Sequence, residues 1–388
     1  MKSALNIPPL LFSLVAINLF GHIALSGGRV SSSLFALENG YPEAVVGALI
    51  SLYGLLPMLL SITVGRWVDR IGSFVPMRLG MISVVIGIAL PGIFPQVTTL
   101  FATAALCGLG FMIVSLSAQH SVGCLCGEST TNRVAYFGWL SLGHSTSGIL
   151  GPLIVGFIID LGSYQAAFIV LASSACVALL LVLSQKAAFS ALHVHKPRLA
   201  SDNILTLIRE PTIRRIYIVG ILIAISWDLF IFLMPILGHR RHLSASAIGT
   251  ILAAFAAGTF SIRLITVHLA HLFTEWRILR TAIVVIVIVY VALPLTQSIP
   301  LLLTFAFVLG AAVGSSQPNM LSLLHAAAPS GRGAEAIGLR GTLANASMVA
   351  VPLMFGATAA SFSLAPIFWT VAVLVGIALP LAHRGTQK

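Results

Sequence analysis

Long apolar stretches separated by short polar breaks dominate this sequence of 388 residues. A helix that spans a bilayer needs about 20 predominantly apolar residues, and stretches of that length recur along the whole chain. The pattern predicts spans one to twelve, in chain order, over 9–36, 44–65, 75–94, 98–122, 134–159, 164–184, 213–237, 246–270, 278–296, 299–324, 335–358 and 362–382. It therefore predicts an all-α membrane protein with 12 transmembrane helices.

The longest polar break follows span six and contains His193 and His195 beside Lys196 and Arg198. It predicts a six-helix bundle over 1–184, a cytoplasmic linker over 185–212 and a second six-helix bundle over 213–388. The two halves also repeat each other. A shift of 200 residues places Gly110, Ser115, Gly138, Ser147, Pro152, Leu153 and Gly156 on Gly310, Ser315, Gly338, Ser347, Pro352, Leu353 and Gly356. A duplicated six-helix unit is indicated.

The composition excludes a water-soluble globule. Hydrophobic residues make up 58% of the chain and charged residues only 8%, whereas soluble domains carry roughly 25% charged residues. The formal net charge is +11, but the basic residues lie in breaks between apolar runs and form no nucleic-acid-binding motif. The four cysteines lie in or beside apolar runs and lack metal-ligand spacing. We expect no nucleic-acid partner and no metal.

The distribution of basic residues predicts the orientation in the membrane. If the N-terminus is cytoplasmic, the outer loops hold only Arg240 and Arg241, and the inner loops hold Arg66, Arg70, Arg78, Arg133, Lys186, Lys196, Arg198, Arg209, Arg214, Arg215, Arg277, Arg280 and Arg332. Basic residues favour the cytoplasmic side. We expect both termini in the cytoplasm, an uncleaved first span, and a multi-pass protein of a bacterial inner membrane that acts as a monomer.

Two sequence motifs identify a family resemblance. Gly65-Arg-Trp-Val-Asp69-Arg70-Ile-Gly72, between spans two and three, resembles the G-x-x-x-D-R-x-G loop signature of the major facilitator superfamily. In span five, the series from Gly138 through Gly151-Pro152 to Gly156 resembles the antiporter motif of its drug and metabolite exporters, with Ser147 and Val155 in place of glycines. The resemblance implies two pseudo-symmetric bundles that work by alternating access. It also implies gating roles for Gly65, Asp69, Arg70, Gly72, Gly151 and Pro152.

In that family the cavity is walled mainly by spans one, four, seven and ten, so polar residues there are candidate ligands. Span one carries Asn18, His22, Ser26, Arg29 and Ser33 on one helical face, because they are three or four residues apart. The Arg29 guanidinium suits an anionic group, although a snorkelling or structurally paired arginine is the alternative. His22 is also a candidate for proton coupling.

Span seven supplies Trp227 and Asp228, and Asp228 is the acid that lies well inside an apolar run of the second half. It is the main candidate proton carrier, with pairing to Arg29 in the absence of substrate; a permanent ion pair is the alternative. Spans four and ten add three amides as candidate substrate contacts, for which helix-to-helix hydrogen bonding is equally suitable: Gln119, Gln317 and Asn319. Arg263 and Arg340 suit either inner-face gating or snorkelling.

These residues predict a secondary active transporter that exports a small organic compound by proton antiport. The alternative is proton-coupled or facilitated uptake of a small organic anion. It is favoured by Arg29 and by Ala104, which stands where exporters of this type usually carry an arginine. The sequence shows no catalytic constellation, so we expect no enzyme. We expect no cofactor, with the proton gradient as energy source; a receptor derived from a transporter remains open.

Overall fold

A computed structural model describes residues 8–126, 130–190, 208–269, 274–328, 333–361 and 363–385. These residues form helices and no strand. The helices are α1 Pro9–Glu38, α2 Glu43–Ile71, α3 Phe74–Ile93, α4 Val97–Cys126, α5 Thr130–Leu161, α6 Tyr164–Ser184, α7 Lys186–Ser190, α8 Pro211–Arg240, α9 Ala245–Leu269, α10 Glu275–Ala292, α11 Ile299–Ala327, α12 Gly333–Ser361, α13 Leu364–Gly376 and α14 Ala378–Gly385.

Each predicted span corresponds to one long helix, except that α13 and α14 share span twelve. Several helices are longer than predicted, because a helix can continue past the apolar core with polar residues that hydropathy does not count. α2, for example, ends at Ile71 and includes Asp69. Among the described residues, eleven helical segments are long and apolar enough to span a membrane, and α12, with Arg340 and Asn345, is not among them.

Local signals explain where helices begin and end. Ser163 precedes α6, and its side chain accepts a hydrogen bond from the Ala166 N–H at 3.2 Å, which is a typical N-cap. α8 starts at Pro211, where the missing N–H would have no intrahelical acceptor. After α2 the chain turns at Gly72, whose φ of 81° is strained for residues with a side chain.

The chain divides into two compact units. The first unit takes its described residues from 1–32 and 52–198, and the second takes its described residues from 33–51 and 199–388. This differs from the predicted domains because the end of α1 and the beginning of α2 group with the later helices.

In the first unit, close helix packing depends on glycines. A Cβ atom at Gly108 of α4 would collide with the backbone oxygen of Tyr53 in α2. Gly80 in α3 and Gly110 in α4 also meet backbone to backbone, since a Cβ on either would approach the other's carbonyl oxygen. Such contacts let membrane helices gain van der Waals packing at short range.

The second unit repeats the contact between Gly108 and Tyr53. A Cβ at Gly310 of α11 would collide with the backbone oxygen of Phe255 in α9, and adding 202 to both earlier residue numbers gives these two residues. The predicted match of Gly110 with Gly310 is therefore wrong by two positions. The offset of 202 already applies at Phe255 in α9, so it arises before that helix, and a comparison of isolated glycines does not reveal it.

Candidate functional site

A cavity of about 190 Å³ lies within the second unit, between α8, α11 and α12. Its polar lining residues include Trp227, Asp228, Gln317, Arg340 and Asn345. The apolar part of the wall includes Ile223, Val313, Met320 and Met348. A mostly apolar cavity with a few convergent polar groups is the usual form of a small-molecule site.

Asp228 is held by a serine of the neighbouring helix. Ser347 Oγ donates to Asp228 Oδ2 at 2.9 Å and lies 2.8 Å from the carbonyl oxygen of Ala344. The contact fixes the carboxylate of α8 against α12 at the cavity wall. The structure thus places the predicted proton carrier at a cavity rather than in dry packing.

Arg340 lies on the same cavity wall. Its Nε is buried and has no hydrogen-bond partner, and Arg340 forms no ion pair with any residue that the structure describes. A buried guanidinium nitrogen without an acceptor is costly. This position fits a ligand contact at least as well as the gating role predicted from the sequence.

Arg263 holds another cavity residue in place. Its Nη2 donates to Gln317 Oε1 at 2.9 Å, which occupies the oxygen of that amide and leaves the NH₂ group as the donor end. Arg263 thus links α9 to α11 beside the cavity.

His22 is a titratable residue of α1, in the first unit. Its Nδ1 lies 2.7 Å from Ser147 Oγ. Its ring centroid lies 3.7 Å from that of His144 and 5.2 Å from that of Phe111. The imidazole is therefore packed among rings and hydrogen-bonded to α5.

Each unit places a titratable group beside a serine, and the two serines are equivalent. Ser147 and Ser347 are related by the shift of 200, and each also lies within hydrogen-bonding distance of the carbonyl oxygen three residues earlier. Ser147 contacts His22 on the first helix of its unit, and Ser347 contacts Asp228 on α8. The same serine position thus contacts an imidazole in one unit and a carboxylate in the other, although His22 and Asp228 are not themselves related by the shift.

Arg29 lies in the first unit, with its guanidinium carbon 5.4 Å from the centroid of the Tyr53 ring. This distance fits a cation–π contact. The Tyr53 hydroxyl in turn lies 3.3 Å from Ser32 Oγ. A substrate contact for Arg29 stays a prediction, as does its pairing with Asp228.

Three of the predicted amide contacts turn back onto their own helices. Asn18 donates to the Leu14 carbonyl at 3.0 Å, Gln119 to Ser115 Oγ at 3.1 Å and Asn319 to the Ser315 carbonyl at 2.7 Å. Each acceptor stands four residues earlier, one helical turn away. None of the three lines the cavity described above, whereas Gln317 does.

The loop motif is tied to α4 through a histidine. His120 Nε2 lies 3.8 Å from Asp69 Oδ1, and His120 Nδ1 lies 2.9 Å from Ser73 Oγ. A Cβ atom at Gly65 would meet open space. No close helix contact at Gly65 is therefore found among the described residues, and its gating role stays a prediction. Arg70 lies in the last turn of α2.

The motif of span five does lie at a close helix contact. A Cβ atom at Gly151 of α5 would collide with Ser26 Oγ and lie 3.0 Å from the Gly27 nitrogen of α1. Pro152 follows inside α5.

One helix face at the start of α2, formed by Glu43, Gly47 and Ser51, makes contacts that were not predicted from the sequence. Glu43 accepts hydrogen bonds from Arg240 Nε and Nη2 at 2.9 and 2.6 Å. The Gly47 backbone meets Pro352 and Gly356, and Ser51 Oγ donates to the Val349 carbonyl at 2.8 Å. The spacing of four between Glu43, Gly47 and Ser51 was the available signal, because it places all three on one helical face.

Comparisons with known proteins agree on one family. The family model described as Major Facilitator Superfamily matches residues 11–210 and 216–385. "Multidrug resistance protein 1" of Bacillus subtilis (strain 168) is 29% identical over 135 residues, which cover 33% of this chain and 34% of that protein. The matched region is thus about a third of that relative.

Solved transporter structures share the fold. A POT family transporter in complex with a thioalcohol-conjugated peptide has a TM-score of 0.82 at 15% identity, covering 98% of this chain and 96% of that chain. A bacterial homologue of the human lysosomal transporter Spinster, in an inward-facing and occupied conformation, has a TM-score of 0.76 at 15% identity over 97% and 96% of the two chains. At this identity the likeness shows the fold alone.

Proposed function

Because the chain belongs to the Major Facilitator Superfamily, we propose that this multi-pass membrane transporter exports a small organic compound in exchange for protons. The observation that carries the proposal is the Asp228 carboxylate, which lines a cavity and accepts a hydrogen bond from Ser347. An ionisable group inside a membrane helix is costly unless it reaches water or a partner. A carboxylate at a cavity meets that condition and can bind and release a proton.

The exchange follows from competition at Asp228. In its charged form the carboxylate attracts a donor or cationic group of the substrate, and protonation removes that attraction. With access alternating between the two sides, a proton taken up from the outside displaces the substrate there, and its release inside restores the site. The proton gradient supplies the energy, and the mechanism needs no cofactor.

His22 is proposed as a second proton site, because it contacts Ser147, the serine that the shift of 200 relates to Ser347 beside Asp228. The imidazoles of His22 and His144, with ring centroids 3.7 Å apart, disfavour two positive charges, so the pair suits a single proton. Arg29 is proposed as a contact for an anionic group of the substrate.

Orientation and gating complete the proposal. The basic loops support cytoplasmic termini in a bacterial inner membrane, and the protein is proposed to act as a monomer.

In this orientation the contact of Asp69 with His120 lies on the cytoplasmic side, and the contact of Glu43 with Arg240 lies on the outer side. Each is a polar contact that an opening motion can break. The relative named multidrug resistance protein supports export as the direction.

The decisive experiment uses Asp228→Asn in proteoliposomes. We expect pH-driven exchange to fall to the background of empty liposomes, while substrate binding in detergent remains measurable. Glu210→Gln is the matched control, because Glu210 is an exposed carboxylate just before α8 and lies outside the cavity. Unchanged pH-driven exchange in Asp228→Asn would refute the proton role.

Uptake of a small organic anion is the second candidate, and the buried Arg340 nitrogen without a partner at the cavity favours it. The two functions predict opposite proton movements. When substrate is added outside liposomes, exchange acidifies the external medium, whereas proton-coupled uptake makes it more alkaline. An external pH dye separates the two outcomes.

A further inference from the structure

The turn of α8 that carries Asp228 is bound by a tyrosine of another helix. The Tyr290 hydroxyl, on α10, donates a hydrogen bond to the carbonyl oxygen of Ser226 in α8. Its oxygen also interacts with the backbone N–H of Phe230 and, electrostatically, with the Asp228 carboxylate. Trp227 and Asp228 lie between Ser226 and Phe230, and both line the cavity. Tyr290 is therefore a close neighbour of the candidate proton site.

Ser226 and Phe230 are the two ends of one helical turn, because a carbonyl in an α-helix accepts from the N–H four residues later. A side-chain hydroxyl that meets both groups can share or replace their direct bond, and such insertions are a known cause of local bends in helices. The Tyr290 hydroxyl thus acts on the backbone of α8 at the turn that sets the direction of the Asp228 side chain.

The ring of Tyr290 is fixed by packing. Tyr290 is completely buried, and its ring centroid lies 5.8 Å from that of Phe368 in α13. A buried hydroxyl costs free energy unless it is hydrogen-bonded, whereas a phenylalanine such as Phe368 fills the core of this unit without that requirement. The packing of the ring does not need the hydroxyl, so the contribution of the hydroxyl is its contact with α8.

Two helices therefore hold Asp228 in place. Ser347 of α12 donates to its carboxylate at 2.9 Å, and Tyr290 of α10 binds the backbone two residues earlier. The first contact fixes the side chain, and the second fixes the turn that carries it. The direction of the carboxylate at the cavity wall depends on both.

From these contacts we propose that Tyr290 is a positioning residue of the proton site. Its hydroxyl fixes the rotation of the turn 226–230 and thereby holds the Asp228 carboxylate against Ser347 at the cavity wall. The affinity of a carboxylate for a proton depends on its hydrogen bonds and on its exposure to water, so Tyr290 sets the pH at which Asp228 exchanges its proton. The inference rests on the proposed proton role of Asp228 and adds the residue that tunes it.

The other charged side chains near Asp228, among the residues that the structure describes around the cavity, lie on α12 and α9. Arg340 of α12 lines the same cavity, and Arg263 of α9 binds Gln317, which also lines it. The variants proposed below leave both arginines in place. A change in the titration of Asp228 in these variants therefore reports the change at Tyr290.

Infrared spectroscopy of the full chain in lipid tests the proposal without a substrate. A protonated carboxyl group has a carbonyl stretching band that a carboxylate lacks, and the band that is missing in Asp228→Asn belongs to Asp228. In Tyr290→Phe we expect the midpoint pH of this band to shift by at least about half a pH unit, because a changed hydrogen bond alters protonation by that order. The rate of pH-driven exchange in proteoliposomes should fall by about tenfold.

Tyr217→Phe is the matched control. The Tyr217 hydroxyl is buried in the same unit and donates to the Ala336 carbonyl of α12 at 2.9 Å, but Tyr217 lies about three helical turns before Asp228. Tyr217→Phe and Tyr290→Phe each remove one hydroxyl and its bond to a backbone carbonyl, so they should lower the Tm by similar amounts. Only Tyr290→Phe should move the band of Asp228.

Phe368→Leu is a second variant, which keeps the hydroxyl of Tyr290 but removes the ring packed against it. It should move the midpoint in the same direction as Tyr290→Phe, and by less. Opposite shifts in these two variants would overturn the positioning role. So would an unchanged midpoint in Tyr290→Phe, or an equal shift in Tyr217→Phe.

Failure of the proposed function gives a different result. In that case the wild type shows no titrating band that Asp228→Asn removes, or the exchange rate is unchanged in Asp228→Asn, and the inference about Tyr290 falls with it. If the band titrates and Tyr290→Phe leaves it unmoved, the proton role of Asp228 stands and only the role of Tyr290 is refuted.

Discussion

The two units use one serine position to hold different titratable groups. In the first unit Ser147 contacts His22, whose ring is packed against His144 and Phe111. In the second unit Ser347 donates to Asp228 at the wall of a cavity. The shared hydroxyl shows that the duplicated scaffold is maintained, while its chemistry has diverged.

The two units differ in the space that each leaves beside its titratable group. An imidazole among rings has little room for a ligand, whereas the carboxylate shares a cavity with Arg340 and Asn345. We therefore propose that the second unit binds a donor or cationic group of the substrate, that Arg29 of the first unit contacts an anionic group, and that His22 responds to pH without direct substrate contact.

The strongest test of the shared scaffold uses glycine contacts. Gly108→Val and Gly310→Val should each destabilise the protein by about 3 kcal/mol, because the new side chain collides with a facing backbone oxygen. The yield of monodisperse protein and its Tm report the effect. Gly123→Val, also in α4 but facing open space, is the control. Tolerance of one contact and intolerance of the other would break the equivalence of the units.

Substitutions of His22 and Asp228 should lower the rate of pH-driven exchange to different extents. We expect His22→Gln to lower pH-driven exchange by about tenfold, equivalent to about 1.4 kcal/mol, whereas Asp228→Asn reduces it to background. Initial rates in proteoliposomes at several pH values measure both. His383→Gln, near the end of α14, is the histidine control. Loss of exchange in His22→Gln equal to that in Asp228→Asn would mean that the two sites act as one.

Substitutions of Ser347 and Ser147 test which unit binds a cationic group of the substrate. Ser347→Ala should weaken binding of a cationic probe, octylamine, by several-fold to about tenfold, because the Asp228 carboxylate loses the donor that fixes its position at the cavity wall. Ser147→Ala should leave octylamine binding unchanged, since its partner His22 lies outside the cavity. Calorimetry on both variants measures their affinity for octylamine. Equal weakening in both would contradict the proposal that a cationic group binds at Asp228 in the second unit.

The ion pair of Glu43 with Arg240 should have the smallest effect. Partly exposed pairs contribute about 0.2–1 kcal/mol, so Glu43→Gln and Arg240→Gln should each lower the Tm slightly. Their effects should be non-additive in the double variant, and the coupling should weaken in high salt. Additive effects would show that the contact at the start of α2 contributes no stability through the pair.

The fold was predictable because the bilayer restricts the chain to long apolar helices, and spans one to twelve are confirmed as helices. His22 and Asp228 were also identifiable, since an ionisable residue within an apolar run is costly. The position of Arg340 at the cavity could not be identified from the sequence, because it depends on the rotation of α12 about its own axis. The amides of Asn18 and Asn319 turned to their own helices, a choice of rotamer that residue type does not specify.

Trp227 has a further practical consequence. Its indole lines the cavity and meets the ring of Phe255 edge-on, with 4.9 Å between centroids and an interplanar angle of 75°. Indole emission shifts in colour and intensity when the polarity around the ring changes. The protein thus contains its own optical reporter of occupancy, and with the other tryptophans exchanged for phenylalanine, a stopped-flow trace of its fluorescence would follow ligand arrival without any attached label.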